Sequence, residues 1–529
     1  MTDRSSAGND KKNKKDNMDL TDKHIVTIDL GSSKLAITVA KVNGCDVQII
    51  YYKETASSGI RYSSVFNVMH VTEPLRRLIR EAEEELGIKI TQAVVGMPKF
   101  PIRQETGKAE LPDREEDSDI TAEDIAFLKS LAEEAYPLKD YDKEAIYGAV
   151  AQSFSDGENF QIIENDIIGM TSSVLEGNFK IFIGKKSDLR KIDQVMSKVG
   201  ITGTKKYFTA DTTAKAVLTH SEMENGVALV DFGAGCTSVT IYQDSIMRHY
   251  ASIPFGGKNI TDDIKSECQI SERLAENIKL AFGACMPEKL QSLSEKVIKI
   301  QSDDMEPEKK LPVKYLSEII TARVEEIMMA ILYEIYQSGF ADSLRSGIVV
   351  TGGCAQIPNL GNFIYDISGY RVRTGYARSM FSSIGCDGLN ETTAATSMGL
   401  LLAARDEIGN CAQGDIQTVS EEITPMESFS GKDAFEIYNS MPSAPAPSPA
   451  AAVSEDSFYT QTEPQDNDTG AEEQDEEPVQ TTIFRDDEIE KIEVVKKPKT
   501  RKNPFKVIWT KIVEEAEGLY DNVNQEINE

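Results

Sequence analysis

One short pattern occurs at two places far apart in this chain, and it constrains the fold more than any other feature. In the first copy the apolar run Ile25–Ile28 meets a small polar turn, and a second apolar run begins at Leu35. The second copy has the run Gly226–Val230 before a glycine-rich turn and another apolar run after it. β-Branched residues dominate the flanking runs, so each copy predicts two antiparallel strands joined by a tight turn. The two turns read Asp29-Leu30-Gly31-Ser32-Ser33-Lys34 and Asp231-Phe232-Gly233-Ala234-Gly235-Cys236-Thr237.

The residue types in these turns point to a bound polyphosphate. Glycine, serine and lysine at a hairpin tip offer free backbone N–H groups, hydroxyls and an ammonium, which are the groups that phosphates require. Asp29, at the end of its strand, is placed to hold a hydrated magnesium ion. Either turn alone is also explained as an ordinary β-turn, whereas two matching copies predict two similar halves that face one nucleotide. The pattern differs from a P-loop, which lacks the leading aspartate and needs a helix after the turn.

Three further stretches have distinctive patterns, and the last of them suits the approach of a nucleoside. The pair Gly256–Gly257 forms a glycine turn that leads into a predicted helix. Glu276 and Lys279 lie on another predicted helix at a spacing that places them on one face. The pair Gly352–Gly353 ends a buried strand, where glycine lets an adenine or a ribose approach the backbone closely. The alternative for this last pair is a simple turn.

Charge and cysteine content limit the function and the compartment. The formal net charge of −30 argues against a general nucleic-acid binder. Much of this charge lies in segment 421–490, which carries nineteen Asp or Glu against Lys432 and Arg485. Seven scattered cysteines without Cys-x-x-Cys spacing fit a reduced, cytosolic compartment. Neither the cysteines nor the four histidines suggest a metal cluster.

Both ends of the chain differ in character from the middle. Residues 1–22 are polar and lysine-rich with no apolar stretch behind them, so we expect a disordered tail rather than a signal peptide. From residue 411, Ser, Pro, Ala, Glu and Asp dominate, which predicts a flexible linker. No run approaches the roughly 20 apolar residues that a spanning helix needs, so we expect any membrane contact to be peripheral.

We expect order to return after the linker, as an amphipathic helix. Asn503 is a candidate N-cap, and Pro504 fits the first helical position. The apolar stripe that follows predicts attachment to a membrane surface; the alternative is a helix that docks on this protein's own body or on a partner. The basic stretch 496–511 attracts anionic lipid, whereas the acidic residues of 514–521 are repelled by it. The candidate membrane-binding residues are Lys502, Phe505, Lys506, Ile508, Trp509 and Ile512.

In this order, the motifs resemble those of the actin-like nucleotide-binding superfamily and, within it, of the FtsA family of bacterial cell-division proteins. The resemblance covers most of residues 23–405. It implies a two-lobed α/β fold of the actin, or ribonuclease H-like, type with ATP and magnesium in the cleft. The matching stretches are Ile28–Lys34, Asp231–Gly235, Ile253–Gly257, Ile260–Ile264, Ala275–Glu276 with Lys279, and Gly347–Gly353.

The resemblance also implies roles for individual residues. Asp29 and Asp231 would flank the magnesium ion, through water, and Asp231 is the candidate catalytic residue. The phosphates would be wrapped by Gly31, Ser32, Ser33 and Lys34 of the first turn and by Gly233, Ala234, Gly235 and Thr237 of the second. The nucleoside would be surrounded by Gly256, Gly257, Glu276, Lys279, Gly352 and Gly353.

The same resemblance divides the chain into segments. Lobe I comprises residues 23–91, 183–212 and 383–410, the last as a closing helix, and lobe II comprises residues 213–382. An inserted subdomain of the FtsA type occupies residues 92–182. The remaining segments are the tail 1–22, an acidic disordered linker over 411–495 and a membrane-targeting helix over 496–529.

The function implied is that of a structural adaptor at the division septum. Such a protein binds ATP, self-associates, and tethers the FtsZ ring, together with other divisome proteins, to the cytoplasmic face of the cell membrane or inner membrane. Cys236 and Ser238 depart from the family pattern, and 209–213 has no water-orienting glutamine, so we expect at most slow hydrolysis. The alternatives are a PilM-like assembly adaptor, in which the terminal helix is not expected, and an actin-fold sugar kinase or chaperone.

Overall fold

The computed structural model describes most of the chain before residue 416. The described residues are 23–44, 46–111, 118–290, 296–300, 309–378, 381–383, 385–386, 388–405 and 409–415. The predicted N-terminal tail, nearly all of the linker and the terminal helix with its candidate membrane-binding residues lie outside them. Within the described part of the chain, no helix has the length and apolar character needed to cross a membrane.

Strands and helices alternate through the described residues. The strands are β1 (Lys23–Leu30), β2 (Lys34–Asn43), β3 (Asp46–Ala56), β4 (Ile60–Arg61), β5 (Ser64–Val65), β6 (Ile88–Ile90), β7 (Gln92–Gly96), β8 (Arg103–Leu111), β9 (Glu144–Ser155), β10 (Leu175–Lys185), β11 (Gly203–Tyr207), β12 (Val227–Phe232), β13 (Thr237–Gln243), β14 (Ile246–Ile253), β15 (Val297–Ile300), β16 (Lys309–Pro312), β17 (Ile348–Thr351), β18 (Val372–Thr374), β19 (Ser382–Ser383) and β20 (Ala412–Asp415). The helices are α1 (Val68–Leu86), α2 (Ala122–Ala135), α3 (Glu164–Ile167), α4 (Lys186–Lys198), α5 (Thr209–Val217), α6 (His220–Asn225), α7 (Gly257–Cys268), α8 (Glu272–Phe282), α9 (Val313–Gln337), α10 (Leu360–Ser368) and α11 (Ala395–Ala404).

The first sheet has six strands in the order β11-β7-β1-β2-β3-β19 and carries the first turn. β1 and β2 pair antiparallel, with Leu30 opposite Leu35, so the predicted hairpin around Gly31 is confirmed. On its other side, β1 pairs parallel with β7. Because successive side chains alternate between faces, Val26 and Ile28 pack in the core formed with α1 and α4, whereas Ile25 packs in the core formed with α11.

The second sheet has five strands, β14-β13-β12-β17-β18, and repeats this arrangement around the second turn. β12 pairs antiparallel with β13, with Phe232 opposite Thr237, and parallel with β17. Val230 and Phe232 pack against α9 in a large apolar core, and Leu229 points into another core beside α5. The apolar stripe on α9 lies in the large core, since Ile320 and its helical neighbours are buried there.

A separate three-stranded sheet, in the order β8-β10-β9, is inserted between β7 and α4 and is covered by α2. Its core contains Phe154 and Phe179, whose rings meet edge to face with centroids 6.2 Å apart. The predicted inserted subdomain began at residue 92, and this boundary is wrong. The strand Gln92–Gly96 belongs to the first sheet, because its buried valines pair with β1 on one side and β11 on the other.

The inserted sheet is hydrogen-bonded to the edge of the second sheet. The side chain of Gln104, on β8, accepts from the backbone N–H of Tyr250 on β14, with an N–O distance of 3.1 Å. The side-chain amide of Gln152, on β9, donates to the carbonyl oxygen of Met247 at 2.9 Å. The insertion is therefore fixed to a strand that follows it by a long stretch of sequence.

Three further predicted boundaries are wrong because tertiary pairing overrides composition. The division between residues 212 and 213 falls inside helix Thr209–Val217, which packs against α11. The division between 382 and 383 falls inside Ser382–Ser383, which pairs with β3 of the first sheet. The linker begins later than residue 411, because Ala412–Asp415 pairs antiparallel with β6.

We predict that Phe179→Ala destabilises the inserted sheet by about 3–5 kcal/mol, because it removes a fully buried ring and leaves a cavity. Phe160→Ala is the matched control, since Phe160 is 72% exposed and its loss is expected to cost no more than about 0.5 kcal/mol. Amide hydrogen exchange in β8 and β10 measures the free energy of local opening. Similar exchange in the two variants would contradict this account of the core.

Candidate functional site

The first turn is held by its own backbone and by one neighbouring segment. A Cβ atom on Gly31 would lie 2.6 Å from the carbonyl oxygen of Lys34, so only glycine fits this tip without a shift. Ser32 is buried, and its hydroxyl accepts a hydrogen bond from the backbone N–H of Ser63 at 3.0 Å. Ser63, in the turn between β4 and β5, therefore fixes the orientation of the first turn.

The second turn is held against the beginning of α7. The N–H of Gly257 donates to the carbonyl oxygen of Gly233 at 3.0 Å, and the N–H of Lys258 donates to that of Ala234 at 2.8 Å. A Cβ atom on Gly256 would lie 2.5 Å from the Gly233 oxygen. The predicted glycine turn at 256–257 thus exists, and its lack of side chains allows this close backbone approach.

The structure brings the two turns into direct contact. A Cβ atom on Gly235 would lie 2.6 Å from the Ser32 hydroxyl oxygen and 3.2 Å from the backbone nitrogen of Tyr62. These groups come from different sheets and from distant parts of the sequence. The arrangement expected from the sequence, with two similar turns facing each other, is present.

The residues predicted to surround a nucleoside also converge beside the second turn. The Lys279 ammonium donates to the Gly257 carbonyl oxygen at 2.9 Å and to the Thr261 hydroxyl at 2.8 Å, and it pairs with Glu276 at 2.7 Å. Glu276 also accepts a hydrogen bond from Thr261. Thr261 is therefore a part of this cluster that sequence reasoning missed.

Gly352 lies at the end of β17 with φ 88° and ψ 175°, a conformation that is essentially restricted to glycine. A Cβ atom there would lie 2.6 Å from the carbonyl oxygen of Phe232 and 2.7 Å from Oδ1 of Asp231. Gly353 has more room, with Thr393 Cγ2 at 3.8 Å from such an atom. Glycine at 352 is therefore required by the packing of this turn against Phe232 and Asp231.

Asp29 and Asp231 occupy equivalent positions on β1 and β12, each one residue before the strand ends. Burial raises the pKa of Asp29, against the opposing effect of the Lys99 and Lys34 ammonium groups. Asp231 is 8% exposed and forms an ion pair with Lys99. The Lys99 ammonium also donates to the Thr396 hydroxyl at 3.2 Å.

Lys99 is the residue of the candidate site that sequence reasoning missed most clearly. No local motif marks it, and it lies between two prolines just beyond β7. The available signal was topological, because residues that follow the carboxyl ends of parallel strands gather at one edge of a sheet. Using that signal required knowing that β7 pairs with β1, whereas the predicted boundary placed β7 in the insertion.

Lys34, predicted to bind phosphate, is engaged elsewhere. Its ammonium forms an ion pair with Glu54 on β3, and Glu54 also accepts a hydrogen bond from the Tyr52 hydroxyl. Burial, together with the hydrogen bond to Glu54, raises the pKa of Tyr52, so Tyr52 remains a donor to this carboxylate. The side chain of Lys34 is therefore turned toward β3.

The residues present fit a magnesium nucleotide. A side chain is excluded at Gly235 by Ser32 of the first turn and at Gly256 by the backbone of the second turn, which leaves a site lined largely by backbone groups. The described residues contain no cluster of three or more His, Cys, Asp or Glu able to hold a metal ion by themselves. Two carboxylates suit a hydrated magnesium ion that takes its other ligands from water and phosphate.

The fold and the facing turns define an actin-like protein. A chain of the PilM–PilN type IV pilus biogenesis complex has a similar fold, with a TM-score of 0.50 and 11% sequence identity over 72% of this chain and 98% of that one. The predicted fold class is confirmed for the described residues.

Sequence comparison then gives the family. The family model "Cell division protein FtsA" matches residues 228–399. Cell division protein FtsA of Neisseria meningitidis is 27% identical over 408 residues, covering 76% of this chain and 95% of that protein. The corresponding protein of Borreliella burgdorferi is 28% identical over 385 residues, covering 72% and 91%. The resemblance to the FtsA family of cell division proteins, which the motifs predicted, is thus confirmed by whole-chain similarity.

We predict that Gly352→Ala destabilises the protein by at least about 1–3 kcal/mol, because alanine is strained in this conformation and its methyl group meets the Phe232 carbonyl. Gly353→Ala is the neighbouring control and is expected to change stability by less than about 0.5 kcal/mol. Urea unfolding without nucleotide measures both. Equal midpoints for the two variants would show that the close approach at Gly352 does not exist in solution.

We also predict that two cysteines beside the site resist alkylation. Burial raises the pKa of Cys236 and that of Cys354, each to about 12. At pH 8 the folded protein should react with iodoacetamide at these thiols about a thousandfold more slowly than the urea-unfolded chain, since an ordinary thiol has a pKa of about 8.5. Raising the pH from 8 to 10 should accelerate labelling about a hundredfold in the folded state and only a few-fold in the unfolded state, as mass spectrometry of each peptide measures. Labelling of either thiol at the unfolded rate would contradict its burial.

Proposed function

We propose that this chain binds ATP with magnesium between its two sheets and acts as a membrane-attached adaptor of cell division. The observation that carries the nucleotide site is the contact between the two glycine turns, Gly235 against Ser32, one from each sheet. Asp29 and Asp231 stand at the ends of the strands that lead into these turns. The relatives found by sequence are named as cell division proteins, which supports the cellular role.

The residues of the proposed site divide into three groups. Backbone N–H groups and hydroxyls of the turns Gly31–Lys34 and Gly233–Thr237 bind the phosphates. Glu276 and Lys279 surround the nucleoside together with the glycine pairs at 256–257 and 352–353. Asp29 and Asp231 hold the hydrated magnesium ion, which neutralises phosphate charge when bound.

Hydrolysis is expected to be slow, so ATP acts mainly as a structural ligand. Asp231 is the candidate group to orient a water molecule, but its carboxylate is already engaged by Lys99. The helix beside the turns begins at Thr209, whose hydroxyl donates to the carbonyl oxygen of Met97 at 2.5 Å. No glutamine lies in 209–213 to orient water in its place.

The adaptor role combines three contacts of the protein. The body self-associates and binds FtsZ and other divisome proteins, and the terminal helix attaches it to the cytoplasmic face of the cell membrane or inner membrane at the septum. The proposed attachment rests on the apolar stripe through Phe505, Ile508, Trp509 and Ile512, with Lys502 and Lys506 in the basic stretch beside it. A single such helix binds reversibly, so self-association strengthens attachment by avidity.

Vesicle co-sedimentation tests this proposal with the full chain and a chain that ends at Pro498. We expect the full chain to sediment with vesicles that contain anionic lipid and the shortened chain to remain in the supernatant, because the apolar stripe and adjacent lysines are removed. We expect ATP with magnesium to increase sedimentation of the full chain, because self-association multiplies the number of helices per particle.

A full-length variant with Trp509→Glu and Ile512→Glu is the matched control, since it retains the length and the linker while removing the apolar anchor. Equal sedimentation of all three chains would refute the anchor and favour a soluble actin-like adaptor. If the shortened chain and the variant fail to sediment but ATP does not change sedimentation of the full chain, the helix is an anchor that is not coupled to the nucleotide.

A further inference from the structure

Lys99 has a backbone that is fixed from both sides of the cleft. Its N–H donates to the Ser63 hydroxyl at 3.1 Å, and Ser63 in turn holds Ser32 of the first turn. Its carbonyl oxygen accepts from the Tyr250 hydroxyl, on β14 of the second sheet, at 2.6 Å. These two hydrogen bonds fix the backbone of Lys99, from which a four-carbon side chain carries the ammonium.

The ammonium of Lys99 lies among the groups that the proposed site uses. It pairs with Asp231 and donates to Thr396, and the side chains of Lys99 and Asp231 are only 16% and 11% exposed. Burial opposes the positive charge, but the Asp231 and Asp29 carboxylates outweigh it and raise the pKa of Lys99. The site therefore contains the ammonium group of a residue that belongs to neither glycine turn and whose backbone is held by hydrogen bonds at its N–H and its carbonyl oxygen.

Lys34, the lysine of the first turn, is differently placed. Lys34 is paired with Glu54, which lies on β3, outside both turns. Lys99 is paired instead with Asp231, the carboxylate from which the second turn begins. Of these two ammonium groups, Lys99 is the one held at the junction of the turns.

We propose that Lys99 is a phosphate-binding residue of this site, whose ammonium exchanges between Asp231 and the terminal phosphates of the nucleotide. The proposal rests on the proposed binding of ATP. A lysine ammonium is a compact charge with three donors, and a largely buried ammonium beside the start of the second turn suits a phosphate dianion. Asp231 cannot serve both this ammonium and a hydrated magnesium ion equally well, because the two cations repel each other at short distance.

This assignment has a consequence for selectivity. Affinity gained through Lys99 depends on the phosphates and not on the base or ribose, which the Glu276–Lys279 cluster faces in the proposed site. It also persists without magnesium, because an ammonium needs no metal to bind phosphate. Nucleotide binding in the absence of magnesium should therefore depend on Lys99 most strongly.

The test measures equilibrium binding of ATP, ADP and adenosine to the full chain by calorimetry, in magnesium and in EDTA. We expect Lys99→Met to weaken ATP and ADP binding roughly ten- to hundredfold, the range for losing one charged hydrogen bond, with the larger loss in EDTA. Adenosine binding should stay unchanged. Lys53→Met is the matched control, because Lys53 is a half-exposed surface lysine paired with Glu81 and its loss should leave all three ligands unaffected.

Removing Lys99 leaves Asp231 buried without its partner, which endangers folding. The variant Asp231→Asn and the double variant Lys99→Met with Asp231→Asn remove this problem. In EDTA, the single Asp231→Asn variant should bind ATP at least as tightly as the natural chain, since its Lys99 is released. The double variant should lose that binding by the same ten- to hundredfold factor.

The outcomes separate this inference from the proposed function. Failure of the natural chain to bind ATP or ADP would overturn the proposed function and this inference with it. If Lys99→Met binds ATP in EDTA as tightly as the natural chain, the role of Lys99 is overturned and the proposed function is not. The same holds if the double variant binds ATP in EDTA as tightly as Asp231→Asn. An equal loss of adenosine binding in the Lys99 variants would show that Lys99 only maintains the shape of the cleft.

Discussion

The contact between Gly235 and Ser32 is the constraint on which the rest of the site depends. A side chain at position 235 would clash with Ser32, so the first turn would have to shift. The register of each sheet makes this contact possible, because β1 and β12 each pair with one antiparallel and one parallel neighbour and end at corresponding points. The two halves of the chain are therefore similar in the backbone pairing of β1 and β12, and this pairing places the side chains of the two turns.

Electrostatics in the cleft follow from this geometry. Asp29 and Asp231 are close enough to interact electrostatically, and burial makes their charge costly. Lys99 offsets that cost from a segment outside both turns. A cleft built in this way carries its own counterion, so its charge balance does not depend on solvent ions alone.

Local pattern predicted much of the fold but not its boundaries. The hairpins at Gly31 and Gly233 were found because turn chemistry and β-branched runs are local signals. The strand Gln92–Gly96 was assigned to the insertion because parallel pairing with β1 leaves no local mark. Ala412–Asp415 was assigned to the linker for the same reason, since its antiparallel pairing with β6 is made across most of the chain. Lys99 was missed because its role is set by these pairings and not by its neighbours in sequence.

The hydrogen bonds of Gln104 and Gln152 to β14 give the inserted sheet a mechanical property. The insertion grows out of the first sheet through residues 97–102 but is gripped by the edge of the second. At its other end the insertion continues directly from β10 into α4. A rotation of one sheet against the other would therefore have to break the hydrogen bonds to β14 or displace the insertion.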